Sequence, residues 1–597
     1  MNGRLRFGYL LMALLVSMAL VVAGCSGGDD DGDSGGSAMT TDTSTTTTAA
    51  AEPSSDDSMT KADDSMMMEG PKPVYGGKVT FGQRRDVRSG FDPHGTSGGQ
   101  SQHQNTNSWW YNNLMSRSVG VDVPGGTRES YPDLAESWEV SDGGLTYTFK
   151  LHEGVKFHNR APVNGRELTS EDVKWSYERF LKGPDSYQFQ LADISAVEAP
   201  DKYTVVFRLH EPVASFMIHV GEPLAWVTPK EAATSPPQSP ALEGVLDEEF
   251  LSTPEGMIGS GPWMFDTWEK DKRLTAVRNP DYFRQDAHGN QLPFIDTIEY
   301  VIIPDTQARS AAYISGDIDT FGPPSGSTAD FKERNPESNF VQDLPSTAPT
   351  LNFRLDRTPA FNDIRVRRAI AMGFEQQAIM DLLLGSVTEP TYGGVPALVF
   401  PEYGITPAEL GDAAQWWQYN PQAAAALLTE AGYGPNNPLE ITYQFSSCCK
   451  STYYPELVAD MMDEIGVKMA LQEVDHSVHL KTSNIGMGDY DIAHSRLKAA
   501  EVDDLLVSFL PGNSKNNSHI DDALLTEMIK AQRLTQDPNQ RFDQVRQIQR
   551  YLADQVYLIR IPDRFTDYFW QPWIKNFRPH VGNTEGRDWE IAWVDRG

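Results

Sequence analysis

The sequence predicts a mixed α/β fold that contains more than one structural unit. Runs with apolar residues at every second position, such as Leu145–Leu151, are typical of half-buried strands. These runs alternate along the chain with segments of helical spacing, such as the one carrying Val545, Ile548 and Leu552. The part of the chain that can fold exceeds about 500 residues, which is long enough to bury several cores.

The first 24 residues have the pattern of a secretory signal peptide. Arg4 and Arg6 precede an apolar run from Leu10 to Val22, and the small residues Ala23 and Gly24 follow it. The run is too short and ends too abruptly for a comfortable membrane span. The sequence therefore predicts cleavage after residue 24 and an extracytoplasmic mature protein.

The tetrapeptide Val22–Cys25 resembles the bacterial lipobox, and this resemblance implies cleavage before Cys25 and diacylation of its sulfur. An ordinary signal peptide with an incidental cysteine is the alternative. Acyl chains on Cys25 would anchor the protein to the lipid bilayer. Residues 25–74 are rich in Ser, Thr, Gly, Ala and Asp, so we expect them to form a disordered tether.

Charge and cysteine content exclude several classes of protein. The formal net charge is −33, which excludes a nucleic-acid-binding face because phosphate contacts need basic residues. Apart from Cys25, the cysteines are the adjacent Cys448 and Cys449, which do not make a disulfide framework. Two free thiols are the simplest interpretation, and a vicinal disulfide or a soft-metal site remains open.

The first elements of the mature chain follow from local patterns. Lys78–Gly82 alternates and predicts a strand, a turn follows at Phe91–Gly95, and Gln100–Met115 suits a short helix. Leu134–Val140 and Leu145–Leu151 flank an Asp-Gly turn and predict a hairpin. A helix is expected from Ser170, with acidic residues in its first turn.

Later helices are marked by their ends. Asp363 can cap a helix with an apolar stripe, and Pro421 suits the first position of another helix, where its missing N–H costs nothing. Gly432 can end that helix. Asp537 and Pro538 predict the start of a further helix.

The stretch LAESWEVSDGGLTYTFKLHEGVKFH, followed by LTSEDVKWSYERF, closely resembles the family 5 extracellular solute-binding proteins, which are the peptide, dipeptide and nickel binders of bacterial import systems. The resemblance extends over almost the full mature length. The other segments that resemble family blocks are Gly259–Phe265, Arg278–Phe283, Ser315–Asp319, Phe361–Ile370, Asn420–Pro421 and Leu427–Tyr433.

The resemblance implies a bilobal type II periplasmic-binding-protein-like fold, with two mixed-sheet lobes joined by a two-strand hinge. Lobe I would comprise residues 75–350 and 562–597, and lobe II residues 351–561. The hinge strands would be Thr350–Arg354 and Tyr557–Ile561. Lobe closure would bury a solute for delivery to the membrane permease of an ABC importer. We expect a monomer without a cofactor.

In peptide-binding relatives, an acidic residue late in lobe II pairs with the α-amine of the ligand. The matching position is Ala500, and the neighbouring Glu501 can replace the missing acid only with a shift of one residue. A buried ammonium group without a carboxylate partner carries a large desolvation penalty. Arg496 is either a grip for a carboxylate or phosphate group of the ligand or a solvated loop charge.

Further candidate contacts come from both lobes. In relatives the loop after the first strand reaches the ligand, and this loop points to Thr96, Ser97 and Gly98. The aromatic candidates for stacking on the ligand, with core packing as the alternative role, are Tyr187, Trp416 and Trp417.

The sequence lacks HExxH and P-loop patterns, and the spacing of His94 and His103 matches no zinc motif, so we expect neither catalysis nor a resident metal. A peptide is the leading solute. The alternatives are an anionic or sugar-like solute, or a metal or nickel-type chelate, for which Cys448 and Cys449 are candidate ligands.

Overall fold

The computed structural model describes the chain from residue 72 onward, with gaps. All described residues belong to one compact unit, Pro71–Gly597. The predicted signal peptide, Cys25 and nearly all of the tether lie outside the described residues. The described residues are 72–86, 91–94, 107–124, 130–182, 188–222, 224–231, 253–324, 326–343, 347–382, 390–397, 399–447, 454–475, 478–479, 482, 488–499, 501–563, 565–580 and 586–597.

The strands of the described residues form five sheets, with seven, five, four, two and two strands. In chain order the strands are β1 Lys78–Gln83, β2 Met115–Arg117, β3 Ser130–Pro132, β4 Ala135–Ser141, β5 Thr146–Leu151, β6 Ile194–Asp201, β7 Thr204–Leu209, β8 Trp263–Glu269, β9 Arg273–Arg278, β10 Thr297–Ile302, β11 Thr320–Phe321, β12 Asn339–Asp343, β13 Thr347–Phe353, β14 Leu439–Ser446, β15 Val467–Val474, β16 Ile492–Lys498, β17 Leu558–Arg560, β18 Thr566–Trp570, β19 Ile574–Lys575 and β20 Trp593–Val594.

Helices cover the sheets and fill the connections. The α-helices are α1 Ser170–Lys182, α2 Phe216–Val220, α3 Thr306–Ser315, α4 Thr328–Arg334, α5 Ile364–Gly373, α6 Gln376–Leu382, α7 Pro407–Leu410, α8 Pro421–Glu430, α9 Pro455–Glu464, α10 Val502–Val507, α11 Ala523–Leu534 and α12 Pro538–Gln555. The 3₁₀ helices are Asp142–Gly144, Gln188–Leu191, Pro254–Gly256, Pro359–Asn362, Pro401–Tyr403, Gly411–Trp417 and Arg587–Trp589.

We call lobe I the part of the chain that carries the seven- and four-stranded sheets. The seven-stranded sheet has the order β12-β18-β11-β1-β10-β9-β8. The predicted strand near residue 78 is confirmed as β1, which lies parallel to β10 and β11. Val79 and Phe81 of β1 point into a core rich in aromatic residues, which includes Trp109, Trp263 and Trp589.

The four-stranded sheet of lobe I is antiparallel, in the order β4-β5-β7-β6. The predicted hairpin is confirmed as β4 and β5, and Gly143 takes a positive φ of 65° in the turn, which favours glycine. The predicted helix is confirmed as α1. Val173 and Tyr177 of this helix are buried in the same cluster as Phe149 of the sheet, so α1 covers one face of it.

The helix expected within residues 100–115 ends earlier than the sequence suggests. Residues 107–110 are its helical part among the described residues, and Met115 already belongs to β2. The buried carboxylate of Asp133 accepts hydrogen bonds from the side chain of Asn112, at 2.9 Å, and from the backbone N–H of Asn113, at 2.8 Å. These bonds hold residues 112–113 outside the helix and lead the chain into β2.

We call lobe II the part that carries the five-stranded sheet, in the order β15-β14-β16-β13-β17. Helices cover both of its faces. Ile559 and Leu558 are neighbours on β17 and therefore point to opposite faces. Ile559 joins the cluster formed with α5, α8 and α9, whereas Leu558 joins the cluster formed with α10, α11 and α12.

The predicted ends of the lobe II helices are confirmed. Asp363 caps α5 by accepting a hydrogen bond from the N–H of Arg365, and Asp537 caps α12 through the N–H of Gln540. Pro421 is the first residue of α8. Gly432, just beyond this helix, has a φ of +96°, which suits glycine after a helix end.

Candidate functional site

The seven-stranded sheet has one edge at which the carboxyl ends of its parallel strands meet. β1, β10 and β11 run in the same direction and end there at Gln83, Ile302 and Phe321. β12 runs in the same direction, because β11 and β12 are both antiparallel to β18, and it ends at this edge at Asp343, which pairs with Thr566 at the start of β18. The chain therefore leaves lobe I, and later returns to it, at this edge.

The five-stranded sheet has a matching edge. β14 is parallel to β15 and to β16, and these strands end at Ser446, Val474 and Lys498. β13 runs the other way and begins at this edge, where Thr347 pairs with Lys498. β17 ends at the same edge at Arg560, because it is antiparallel to β13.

Residues 344–346 and 561–565 therefore connect the carboxyl edge of one sheet to the carboxyl edge of the other. Ligands of open α/β sheets bind in the crevice outside the carboxyl ends of the strands. The candidate site is the cleft between these two edges. It is bordered by the segment after β1 in lobe I and by the segments after β14 and β16 in lobe II.

The segment after β1 is held by a buried ion pair. Asp92 binds the Arg179 guanidinium of α1 through two hydrogen bonds, of 2.9 and 2.6 Å, and both side chains are buried. Burial alone would raise the pKa of Asp92, but the charge and hydrogen bonds of Arg179 outweigh it and lower this pKa. The pair therefore anchors residues 91–94 to helix α1 of lobe I.

His94, in the same segment, is a structural residue. Its Nε2 lies 2.8 Å from the carbonyl oxygen of Trp226, and its ring is buried. Burial, together with the nearby Arg179 charge, lowers the pKa of His94 to about 3, so the ring is neutral. The lobe I candidates Thr96, Ser97, Gly98 and Tyr187 lie outside the described residues and remain predictions.

Arg496 is a strand residue rather than a loop residue. It lies on β16, and its Nη2 is 2.9 Å from both carboxylate oxygens of Asp563, in the segment that returns to lobe I. About a third of the Arg496 side chain is exposed, and 11% of the Asp563 side chain. This ion pair ties the central strand of lobe II to the connection between the lobes.

Glu501 is the N-cap of helix α10. Its carboxylate accepts a hydrogen bond from the N–H of Asp503 at 2.5 Å, and Arg541 lies 2.8 Å away on α12. The Asp504 side chain in turn accepts from the N–H of Glu501 at 3.0 Å, which completes a capping box. The Glu501 carboxylate is therefore engaged in packing α10 against α12, and Ala500 lies outside the described residues.

The two tryptophans Trp416 and Trp417 lie among the helices of lobe II. The Arg368 guanidinium stacks 4.3 Å above the Trp416 ring, whose Nε1–H points at Asp554 at 3.3 Å. Trp417 is buried and donates to the carbonyl oxygen of Ala553 at 2.9 Å. These contacts correspond to the core-packing alternative for both rings.

The structure also brings together charged residues that the sequence did not mark. His219 of α2 in lobe I lies 3.0 Å from the Asp504 carboxylate in lobe II. Arg533 of α11 in lobe II contacts Asp193 of lobe I at 2.6 Å. His219 lies in an apolar run, and Asp193 and Arg533 are 340 positions apart, so no local pattern indicates either contact.

Two open grooves lie outside the cleft. One, with a volume of about 510 Å³, is lined by Arg166, Trp175 and Glu231 on the outer side of α1. The other, of about 600 Å³, is lined by Glu440 and Lys468, at the starts of β14 and β15 and hence at the sheet edge opposite the cleft.

The described residues contain no cluster of three or more His, Cys, Asp or Glu side chains that could hold a metal ion. Cys448, Cys449 and His103 lie outside them, so the metal-chelate alternative stays a prediction. No helix among the described residues is long and apolar enough to cross a membrane.

Comparisons with known proteins agree with this architecture. Residues 129–517 match the family described as "Bacterial extracellular solute-binding proteins, family 5 Middle". The chain is 27% identical over 451 residues to di/tripeptide-binding protein 2 of Pseudomonas aeruginosa (strain UCBPP-PA14), covering 72% of this chain and 80% of that protein. It is 25% identical to a probable deoxycholate-binding periplasmic protein of Escherichia coli (strain K12), over 82% of this chain and 88% of that protein.

A solved structure extends the likeness to nearly the whole described fold. The periplasmic binding protein DppA from Helicobacter pylori, in complex with the peptide STSA, superposes with a TM-score of 0.71 and 21% identity. The match covers 88% of this chain and 99% of that one. The bilobal type II periplasmic-binding-protein fold predicted from the sequence is thereby confirmed.

Proposed function

Because this chain belongs to family 5 of the bacterial extracellular solute-binding proteins, we propose that it is the receptor of an ABC importer that captures a peptide. The family consists of solute-binding receptors, so the chain is not an enzyme. The observation that carries the proposal is the cleft between the carboxyl edges of the two sheets. A solute bound there would contact both lobes, and its binding energy would favour the closed arrangement.

A peptide is the solute class that the relatives favour. The Pseudomonas aeruginosa relative is a di/tripeptide-binding protein, whereas the Escherichia coli relative is a probable deoxycholate-binding protein. Solute class therefore varies among relatives of comparable identity. Arg496 gives no specific support to an anionic solute, because its guanidinium is already paired with Asp563.

The lobe boundaries we propose are residues 75–350 and 562–597 for lobe I and 351–561 for lobe II. The strand order supports them to within a few residues, because β12 and β18 belong to the seven-stranded sheet and β13 and β17 to the five-stranded sheet. The predicted hinge strands overlap β13 and β17, which are hydrogen-bonded neighbours within the five-stranded sheet, so the hinge we propose is the adjoining pair of connections at residues 344–346 and 561–565. A narrow connection of this kind permits hinge bending.

We further propose that the mature protein is a monomer anchored to the membrane through acylated Cys25. Labelled palmitate fed to expressing cells should enter the wild-type protein and not the Cys25→Ser variant. Equal labelling of both proteins would contradict the anchor. Light scattering of the detergent-solubilised protein, corrected for bound detergent, should give the mass of one chain.

The solute can be identified directly. The full chain is purified in mild detergent, and small molecules released from it by denaturation are identified by mass spectrometry. Calorimetry with dipeptides and tripeptides then tests binding. We expect released peptides or saturable peptide binding. A released metal chelate or bile acid, together with no heat from any peptide, would contradict the proposed solute.

A further inference from the structure

The two lobes meet along a buried seam, formed by residues 188–220 of lobe I and residues 497–499 and 501–541 of lobe II. Phe189 of lobe I and Leu497 of lobe II each pack against apolar clusters of both lobes. The backbone N–H of Ala214 in lobe I donates to the carbonyl oxygen of Arg533 in lobe II at 3.1 Å. The seam is thus a packed contact rather than a chance approach of two surfaces.

A lobe II cation lies between carboxylates of both lobes. The Arg533 guanidinium is 2.9 Å from Asp503 of its own lobe and 2.6 Å from Asp193 of lobe I, and Glu211 of lobe I lies 3.8 Å away. The Arg533 side chain is 11% exposed. A salt bridge removed from solvent to this degree loses more than a surface pair when its partners separate.

The second charged contact is the more deeply buried one. His219 Nε2 of lobe I lies 3.0 Å from Asp504 Oδ1 of lobe II, and these side chains are 2% and 0% exposed. Burial is the largest single influence and would lower the pKa of His219, but the charge and hydrogen bond of Asp504, together with the charges of Asp503 and Glu501, outweigh it and raise the pKa. Burial likewise tends to raise the pKa of Asp504, yet His219 lowers it, so the charged pair is favoured.

The charged groups around His219 are otherwise balanced. From lobe II, the carboxylates of Asp503 and Glu501 also face it, and they are paired with Arg533 and Arg541. From lobe I, Glu222 follows α2 and is paired with Arg117, while Asp193 and Glu211 contact Arg533. Protonation of His219 thus adds one positive charge against the Asp504 carboxylate.

We propose that this seam is a clasp between the lobes, and that protonated His219 strengthens it, so that the closed arrangement weakens as the medium becomes alkaline. The inference rests on the proposed function, in which the lobes open and close around a solute. It adds that closure is held by contacts within the protein, and that external pH regulates them.

The direction of the pH effect follows from linkage. When the lobes separate, His219 returns towards solvent, where a histidine has a pKa of about 6.5. Its pKa is higher in the closed arrangement, so the contribution to closure is complete below about pH 6.5. It is lost as the pH rises through the raised value.

Hydrogen–deuterium exchange of the full chain in detergent tests this clasp without any solute. Amide exchange is followed at pH 6.0 and 8.5, with labelling times scaled for intrinsic chemistry. We expect amides of residues 188–220 and 501–534 to lose at least about fivefold in protection at pH 8.5. Amides of β14, in the core of lobe II, should keep theirs, which excludes general unfolding.

Two variants, each with its own control, separate the contribution of His219 from that of Arg533. His219→Gln should abolish the pH dependence, whereas His288→Gln, in an exposed loop, should leave it intact. Arg533→Gln should lower seam protection at both pH values, while Arg208→Gln, which breaks a surface pair within lobe I, should not.

Seam protection that does not change with pH in the wild type, or a pH effect that survives His219→Gln, would overturn the proposal. Because the exchange readout needs no ligand, such a failure would leave the capture of a solute intact. Conversely, a clasp that behaves as expected in a protein that binds no peptide would contradict only the proposed solute.

Discussion

Asp92 and Arg179 show how a single buried ion pair anchors the segment that follows the first strand. Asp92 lies in the segment after the first strand, and Arg179 is on α1, 87 positions later. Their side chains are 5% and 2% exposed, so neither charge has solvent to compensate for a lost partner. The pair therefore contributes to stability and anchors residues 91–94 to α1.

Replacing Asp92 by Asn should destabilise the protein by about 3–5 kcal/mol, because it leaves the Arg179 charge buried and unpaired. The wild-type contribution should be complete above the ordinary pKa of an aspartate, about 4, and should fade as the pH falls through the lowered pKa of Asp92. Urea titrations at pH 7 and pH 3 measure both effects. Glu198→Gln, which breaks an exposed pair with Arg208, is the matched control and should change little.

The sequence resemblance predicts that Ala500 occupies the position of the acidic residue that binds the α-amine in peptide-binding relatives. Ala500→Asp should raise affinity for a dipeptide with a free α-amine, because a carboxylate there would pair with the ammonium group. Calorimetry with alanyl-alanine and with its N-acetylated form measures the effect. A gain for both ligands, or for neither, would contradict the assignment of this position.

At the scale of elements, Gly259 and Gly261 let the segment before β8 lie directly against the backbone of Trp109 and Trp110, where a short helix ends. The N–H of Gly261 donates to the carbonyl oxygen of Trp110 at 2.8 Å. A Cβ added at residue 259 would lie 1.9 Å from the same oxygen, and one at residue 261 would lie 2.5 Å from the carbonyl oxygen of Trp109. The glycines thus allow two backbone segments to touch.

Gly259→Ala should therefore cost at least about 3 kcal/mol, because neither backbone can retreat without disturbing the buried tryptophans. Gly434→Ala is the matched control, since an added Cβ there meets nothing within 4 Å. Thermal unfolding of the two variants should separate them clearly. A Gly259→Ala protein as stable as the control would show that this close approach is not needed.

Strands, helices and helix caps could be predicted from the sequence more readily than contacts between distant residues. The hairpin at Gly143, the helix beginning at Ser170 and the cap at Asp363 depend on neighbours in the sequence, and each is confirmed. Glu501 caps α10 through the N–H of Asp503, two positions away, whereas its ion-pair partner Arg541 lies 40 positions further along, so only the second contact is beyond local patterns. Contacts such as that of His219 with Asp504 exist only after two lobes have met, so local patterns do not contain them.

At the scale of the whole molecule, the net charge is strongly negative. The sequence carries 83 acidic and 50 basic side chains, and many of the acids are exposed. Self-repulsion of this kind opposes the compact state, and salt screens it over a Debye length of about 10 Å at 0.1 M.

Raising sodium chloride from about 0.02 M to about 0.5 M should therefore increase the thermal midpoint by roughly 2 °C or more. Scanning fluorimetry of the full chain in neutral detergent measures this shift. Equimolar sucrose at constant ionic strength serves as the control for effects other than screening. A midpoint that falls with salt would mean that attractive pairs, rather than net repulsion, dominate.

The seven-stranded sheet is not assembled in the order in which its strands are synthesised. β18, near the C-terminal end of the chain, lies between β12 and β11, which precede it by more than 200 residues. Until the ribosome has produced β18, these two strands lack the neighbour that joins them. A chain threading outward through a secretion channel therefore cannot complete this sheet early, and its final folding is deferred until the last stretch has emerged.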